Sequence, residues 1–193
     1  SRQVSVFLLL SILSANSLSD WDRQISSRLE GSNKNILFDI SMESFSLVTP
    51  VIEWSSIYQS WVKDRSSMNY EIATLGLLTT YSLVGITKYV IGRKRPERNY
   101  TPRLWNTRLT PSFPSGHTAS SAMWATTLFP NKHFLSLSYV ALSAWSQVYV
   151  GNHYVSDVLS GAIVGTLIGK IISSKYSKDL GNPPTSINIQ IRF

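Results

Sequence analysis

The chain has 193 residues, enough for one domain with a proper hydrophobic core. It contains no cysteine, which excludes disulfides and thiolate metal sites. The net charge of +7 is concentrated: Lys88 to Arg108 carries seven basic side chains against Glu97 alone, which points to an anionic partner for that stretch rather than a generally basic surface.

Arg2 precedes the apolar run Val4 to Leu13 and then small, polar residues up to Ser19. That order fits a secretory signal peptide or an N-terminal anchor over residues 1–19, and the run is shorter than the roughly 20 residues that a membrane span needs. Trp21, Ile25 and Leu29 recur at four-residue spacing and predict a short amphipathic helix. Ser46 to Val62 reads as a second helix interrupted early by Pro50, and Met68 to Ile91 as the first long one. From Ile72 to Thr87 the latter carries no charge, so it is either a core helix or a membrane span.

Between Leu109 and Gly169 the only charged residues are Lys132 and Asp157. Three helices are predicted there, His117 to Phe129, His133 to Val150 and His153 to Ile172, separated by Pro130-Asn131 and Gly151-Asn152. Gly161, Gly165 and Gly169 at spacing four suit close packing of the last helix on a neighbour. The mean hydropathy of 0.00 is nevertheless low for a chain made mostly of membrane spans. Residues 20–180 form the expected helical domain, followed by a short extended tail over 181–193, whose Ile187 to Phe193 alternates apolar and polar residues like a strand.

Three pieces carry chemistry. Lys88 and Arg95, with Pro96 behind them, place two cations at one end of the helices, either as phosphate ligands or as a solvated basic helix end. Pro114-Ser115-Gly116-His117 reads as a loop opening a helix, with Ser115 as N-cap and Gly116 allowing close approach to a ligand. Asp157, alone in an uncharged span, needs a partner, and His153 four residues earlier is the candidate. A carboxylate on Nδ1 leaves the Nε2 lone pair of His153 to act as base or nucleophile; the alternative is a buried pair joining two helices.

In order and spacing, K-x6-R-P, P-S-G-H and H-x3-D resemble the three-part signature of the type 2 phosphatidic acid phosphatase and vanadium haloperoxidase superfamily, over about Ile72 to Gly169. The resemblance implies an all-α, compact bundle of about five to six helices with the active site at the helix ends. It also implies cofactor-free, metal-independent hydrolysis of phosphomonoester or pyrophosphate bonds through a phosphohistidine. Carried over by position, His153 is the nucleophile, Asp157 orients it and His117 protonates the leaving oxygen. Lys88, Arg95, Ser115, Gly116 and Gln147 hold the phosphoryl oxygens.

One position departs from the pattern: the third motif usually begins Ser-Arg, and here Ser146 is followed by Gln147. A neutral amide brings no charge to phosphate, so Arg93, Arg98, Arg103 and Arg108 are candidates to supply it, and Gln147→Arg is expected to raise activity. The expected substrate is a lipid phosphate, met by a membrane-associated enzyme of the bacterial envelope, in the inner membrane or periplasm with its site on the periplasmic side. The alternatives are a soluble periplasmic acid phosphatase acting on small phosphomonoesters and a catalytically weak phosphate-binding relative. Nucleic acid is not an expected partner, because the basic stretch coincides with the phosphate motif and has few aromatics for stacking. His133 matches no motif and reads as structural or exposed.

Overall fold

The computed structural model describes residues 19–63, 69–129 and 132–180. They form six helices and no strand: α1 over 19–29, α2 Ile36–Lys63, α3 Asn69–Ile91, α4 Gly116–Leu128, α5 His133–Tyr149 and α6 Val155–Leu180. The expected leader, but for Ser19, and the strand-like tail lie outside the described residues.

α4 is the axis of the bundle. It packs against α2, α3, α5 and α6, and Thr118 to Ala125 is buried on every face, which its run of Ala, Ser and Thr allows. The closest approach is to α6. A Cβ on Gly165 would stand 2.0 Å from the Ala119 carbonyl oxygen, and one on Gly161 would stand 2.5 Å from that of Ser115. These glycines thus set the distance between the two helices that carry His117 and Asp157. Two positions along a helix turn about 200°, so Leu159, Ile163, Leu167 and Ile171 fall on the opposite side of α6, and all four are exposed.

α2 begins ten residues before the predicted start and runs through Pro50. Proline removes the N–H that would bond the Ser46 carbonyl. The Gln147 side chain on α5 donates to that carbonyl at 3.4 Å and to Ser46 Oγ at 2.8 Å, so the gap in the helix ladder is filled from a neighbour. α3 ends at Ile91, where Gly92 takes a φ of +61 and its amide bonds the Lys88 carbonyl.

The loop 92–115 has no regular structure, and carboxylates from the N-terminal part of the chain hold it. Glu30 accepts the amides of Asn99 and Tyr100. Glu43 accepts those of Arg103 and Leu104, and Asp39 pairs with the Arg103 guanidinium. Backbone donors in an irregular segment need such acceptors, and here Glu30 and Glu43 supply them while Asp39 fixes a side chain of the same loop.

Candidate active site

α6 begins at Val155, so His153 lies in the turn before it and not on the helix as expected. Gly151, at φ +66, turns the chain, and the His153 amide bonds the Gln147 carbonyl at 3.3 Å. Asp157, in the first turn of α6, folds its carboxylate back to accept the Tyr154 amide at 3.0 Å, a cap that closes the turn around the imidazole.

His153 is 3 % exposed. Its Nδ1 stands 3.5 Å from Asp157 Oδ2 and 3.5 Å from Ser112 Oγ, while Nε2 stands 3.3 Å from an Arg95 nitrogen. A guanidinium only donates, so Nε2 is the acceptor and the proton resides on Nδ1, towards the carboxylate. Burial, with the charges of Arg95 and Lys88, pushes the imidazole down to about 3 against the pull of Asp157. The ring is therefore neutral, with its lone pair beside a cation.

Asp157 has more partners than its sequence neighbour. Ser112 Oγ donates to Oδ2, and Arg93 meets Oδ1 at 2.6 Å. The other arm of Arg93 reaches Asp22 of α1 at 2.7 Å, and its plane covers the Tyr154 ring at 4.2 Å. Asp22 in turn accepts the Ser156 amide, and Ser26 accepts that of Val155. α1 thereby caps α6 from outside, satisfying the free amides of its first turn. Nothing periodic in the sequence announces this contact across more than 120 residues.

Ser115 caps α4 as expected, accepting the Thr118 amide, while its own amide donates to the Asp157 carbonyl at 3.0 Å. The remaining first-turn amides of α4, at Gly116 and His117, have no carbonyl in a preceding turn and carry the positive end of the helix dipole. The His117 ring has no hydrogen-bond partner among the described residues; burial, then Arg95 and Lys88, push it down to about 4. Lys88 gives two of its three protons to the carbonyls of Pro111 and Ser112, at 2.8 and 2.9 Å. Arg95 donates to the carbonyls of Leu109 and Asn152, and burial followed by repulsion from Arg108 pushes it down to about 10.

A cavity of about 580 Å³ opens over Arg95, His153 and Tyr154, with α1 as its far wall. Lys88, Ser115, Gly116, His117 and Asp157 lie outside its lining. Gln147, expected among the phosphate ligands, is 1 % exposed and commits its amide to Ser46 and to Asn152, at 3.2 Å. Among the described residues no group of acids and histidines has the arrangement of a metal site.

The fold and site define a helical bundle that gathers cations and two neutral histidines at one end. A model of the PAP2 superfamily matches residues 70–180, and the chain belongs to that superfamily. Lipid A 1-phosphatase of Porphyromonas gingivalis is 28% identical over 174 residues, covering 80% of this chain and 35% of the relative. Decaprenylphosphoryl-5-phosphoribose phosphatase of Mycobacterium tuberculosis is 30% identical over 112 residues, covering 57% and 63%. The chain thus spans about a third of the first relative and less than two thirds of the second. Two crystal structures share the fold. Aquifex aeolicus LpxE has a TM-score of 0.62 and 22% identity, covering 77% of this chain and 92% of that one. The transmembrane PAP2 type phosphatidylglycerolphosphate phosphatase from Bacillus subtilis has a TM-score of 0.65 and 24% identity, covering 92% and 96%.

Proposed function

We propose that the protein is a membrane-embedded phosphatase that hydrolyses the phosphate of a lipid without a metal, through a phosphohistidine. The observation that carries this reading is the single histidine with one nitrogen towards a buried carboxylate and the other, unprotonated, against Arg95 on the floor of a cavity.

In the first step Nε2 of His153 attacks phosphorus, the N–P bond forms and the bond to the ester oxygen breaks. Asp157 holds the Nδ1 proton and balances the positive charge that the ring gains. Arg95, Lys88 and the amides of Gly116 and His117 take the charge on the phosphoryl oxygens, which grows at the transition state. His117 delivers a proton to the leaving oxygen. In the second step water attacks phosphorus, His117 recovers a proton from it, and inorganic phosphate leaves as the N–P bond breaks.

Two stretches, Glu71–Ile91 and Val155–Lys175, are long and apolar enough to cross a membrane, and less than half of either is buried inside the protein. A core helix of a soluble domain would be covered. Exposed Leu78 and Ile86 on α3, Phe134 and Leu137 on α5 and the stripe on α6 continue the apolar belt. Together with relatives named as phosphatases of lipid A and of a decaprenyl-linked sugar phosphate, this favours a lipid phosphate over a small soluble ester. The reading places the protein in a bacterial inner membrane with its site at the periplasmic face.

The test is phosphate release from phosphatidate, a polyprenyl pyrophosphate and an aryl phosphate, in detergent and chelator, for the wild type beside His153→Ala. Chelator-resistant turnover of a lipid, lost in the variant, is expected. Turnover that requires a divalent cation, or that survives in the variant, would overturn the mechanism; preference for the aryl phosphate, with release from membranes by a salt wash, would overturn the lipid assignment.

A further inference from the structure

We propose that Arg98, held in place by Gln147 through Asn152, supplies the phosphate-binding guanidinium that the superfamily pattern puts at position 147. The inference rests on the phosphatase reading of the site and concerns where its third cation comes from.

Three hydrogen bonds link α2 to Arg98. Gln147 Nε2 donates to Ser46 Oγ at 2.8 Å, Asn152 Nδ2 donates to Gln147 Oε1 at 3.2 Å, and an Arg98 nitrogen donates to Asn152 Oδ1 at 2.6 Å. The direction of the chain is fixed by its end, because a guanidinium can only donate. Asn152 must therefore turn its oxygen to Arg98 and its NH₂ to position 147, where an acceptor is required. Glutamine offers one and arginine does not. The residue that departs from the pattern is the residue that this relay needs.

Arg98 is also placed and equipped for an anion. Its second arm donates to Asn106, at 3.0 Å to the side-chain oxygen and 3.3 Å to the carbonyl, yet its Nε–H is buried with no acceptor among the described residues. A buried donor without a partner is costly unless a ligand supplies the acceptor. Arg98 shares the 151–153 turn with two other guanidiniums: Arg95 donates to the Asn152 carbonyl and Arg108 to that of Gly151. None of the three forms an ion pair within 4.0 Å among the described residues. The two acids whose charge reaches Arg98 are engaged elsewhere, Glu30 with the amides of Asn99 and Tyr100 and Glu43 with those of Arg103 and Leu104. Arg95, Arg98 and Arg108 repel one another around the turn that leads to His153, and an anion beside that turn is what balances them. Arg93 and Arg103, by contrast, are neutralised by Asp22, Asp157 and Asp39.

The test is a charge exchange in the full chain in detergent, read by the affinity for inorganic phosphate as well as by turnover. Arg98→Gln weakens phosphate binding by about 10- to 100-fold, the span of one charge-assisted contact, and Arg98→Lys recovers part of it. Gln147→Arg alone lowers activity, contrary to the expectation from the sequence pattern, because Asn152 loses its acceptor and two guanidiniums compete for one place. The double variant Gln147→Arg with Arg98→Gln regains at least about tenfold over Arg98→Gln. Wild-type phosphate affinity in folded Arg98→Gln would overturn the proposal, whatever the fate of the double variant. So would a gain of activity in Gln147→Arg alone. A wild type that binds phosphate through Arg98 but hydrolyses no ester would leave this assignment standing and overturn the phosphatase reading.

Discussion

Arg93 stands 2.6 Å from Asp157, closer than the 3.5 Å that separates the same carboxylate from His153. The acid that aims the imidazole is therefore itself aimed by an arginine, which also reaches Asp22 of α1. Arg93→Ala leaves a carboxylate with 0% exposure short of its cation, and removing one member of a buried pair costs about 3–5 kcal/mol. Denaturant unfolding in detergent should show a loss near the lower figure, since Arg93 is partly exposed, together with a fall in kcat. Arg93→Lys retains the charge but not the fork that spans two carboxylates, and should fall between. A variant as stable as the wild type would show that the pair contributes nothing to holding Asp157.

Asp22 makes a separable contribution, because it fastens α1 over the site through Ser156 and Arg93. Asp22→Ala should release α1, which limited trypsin digestion at Arg23 and Arg28 would detect as faster cleavage than in the wild type. Turnover should fall with it, as α1 forms one wall of the cavity. Unchanged digestion would mean that Ser26 and the apolar contacts seat the helix without Asp22.

The motif residues were readable because they are local or sit in uncharged surroundings. Asp157 had to find a partner, Ser115 had to cap, and the glycines of α6 had to meet a neighbour. What the sequence concealed depends on distance and on turn geometry. Arg93, Lys94 and Arg95 are equivalent as composition, and only the left-handed Gly92 decides which of them meets Asp157 and which meets His153. Glu30, Asp39 and Glu43 resemble ordinary helix charges, yet they hold the loop. Pro50 read as an interruption because its compensating donor, Gln147, lies about a hundred residues away. Gln147 itself read as a weakened phosphate ligand for the same reason.

The spacing between α4 and α6 makes a sharp prediction about glycine. Gly165→Ala sets a methyl 2.0 Å from the Ala119 carbonyl oxygen, which only separation of the helices can relieve. Overpacking of this kind costs about 1–3 kcal/mol. Because the same two helices carry Ser115 to His117 and Asp157, kcat should fall along with stability. Gly85→Ala, where nothing lies within 4 Å of the added carbon, should instead be neutral or stabilise α3 by up to about 1 kcal/mol. Thermal unfolding of both variants is the check, and equal effects would show that α6 does not bear directly on α4.

The two site histidines, His153 buried and His117 half-buried, lead the pH dependence. In the unfolded chain each titrates near 6.5, whereas in the folded protein burial pushes His153 down to about 3 and His117 to about 4. Between those limits the unfolded state binds more protons at these two positions. Their contribution to stability should therefore be fully present above about pH 6.5, be lost on acidification through the window and level off below it. Glu53, whose carboxyl burial raises to about 7, offsets that loss in part. An anion in the site reverses the position of His117. Its negative charge offsets Lys88 and Arg95, raises the imidazole and lets it hold the proton that a leaving oxygen needs. Sulfate, a dianion throughout, should therefore bind with proton uptake and more tightly as pH falls from about 8 to about 5. Calorimetry in buffers of different ionisation enthalpy measures that uptake directly, and His117→Asn should abolish it while sulfate still binds. A flat affinity in the wild type would remove His117 as the proton donor.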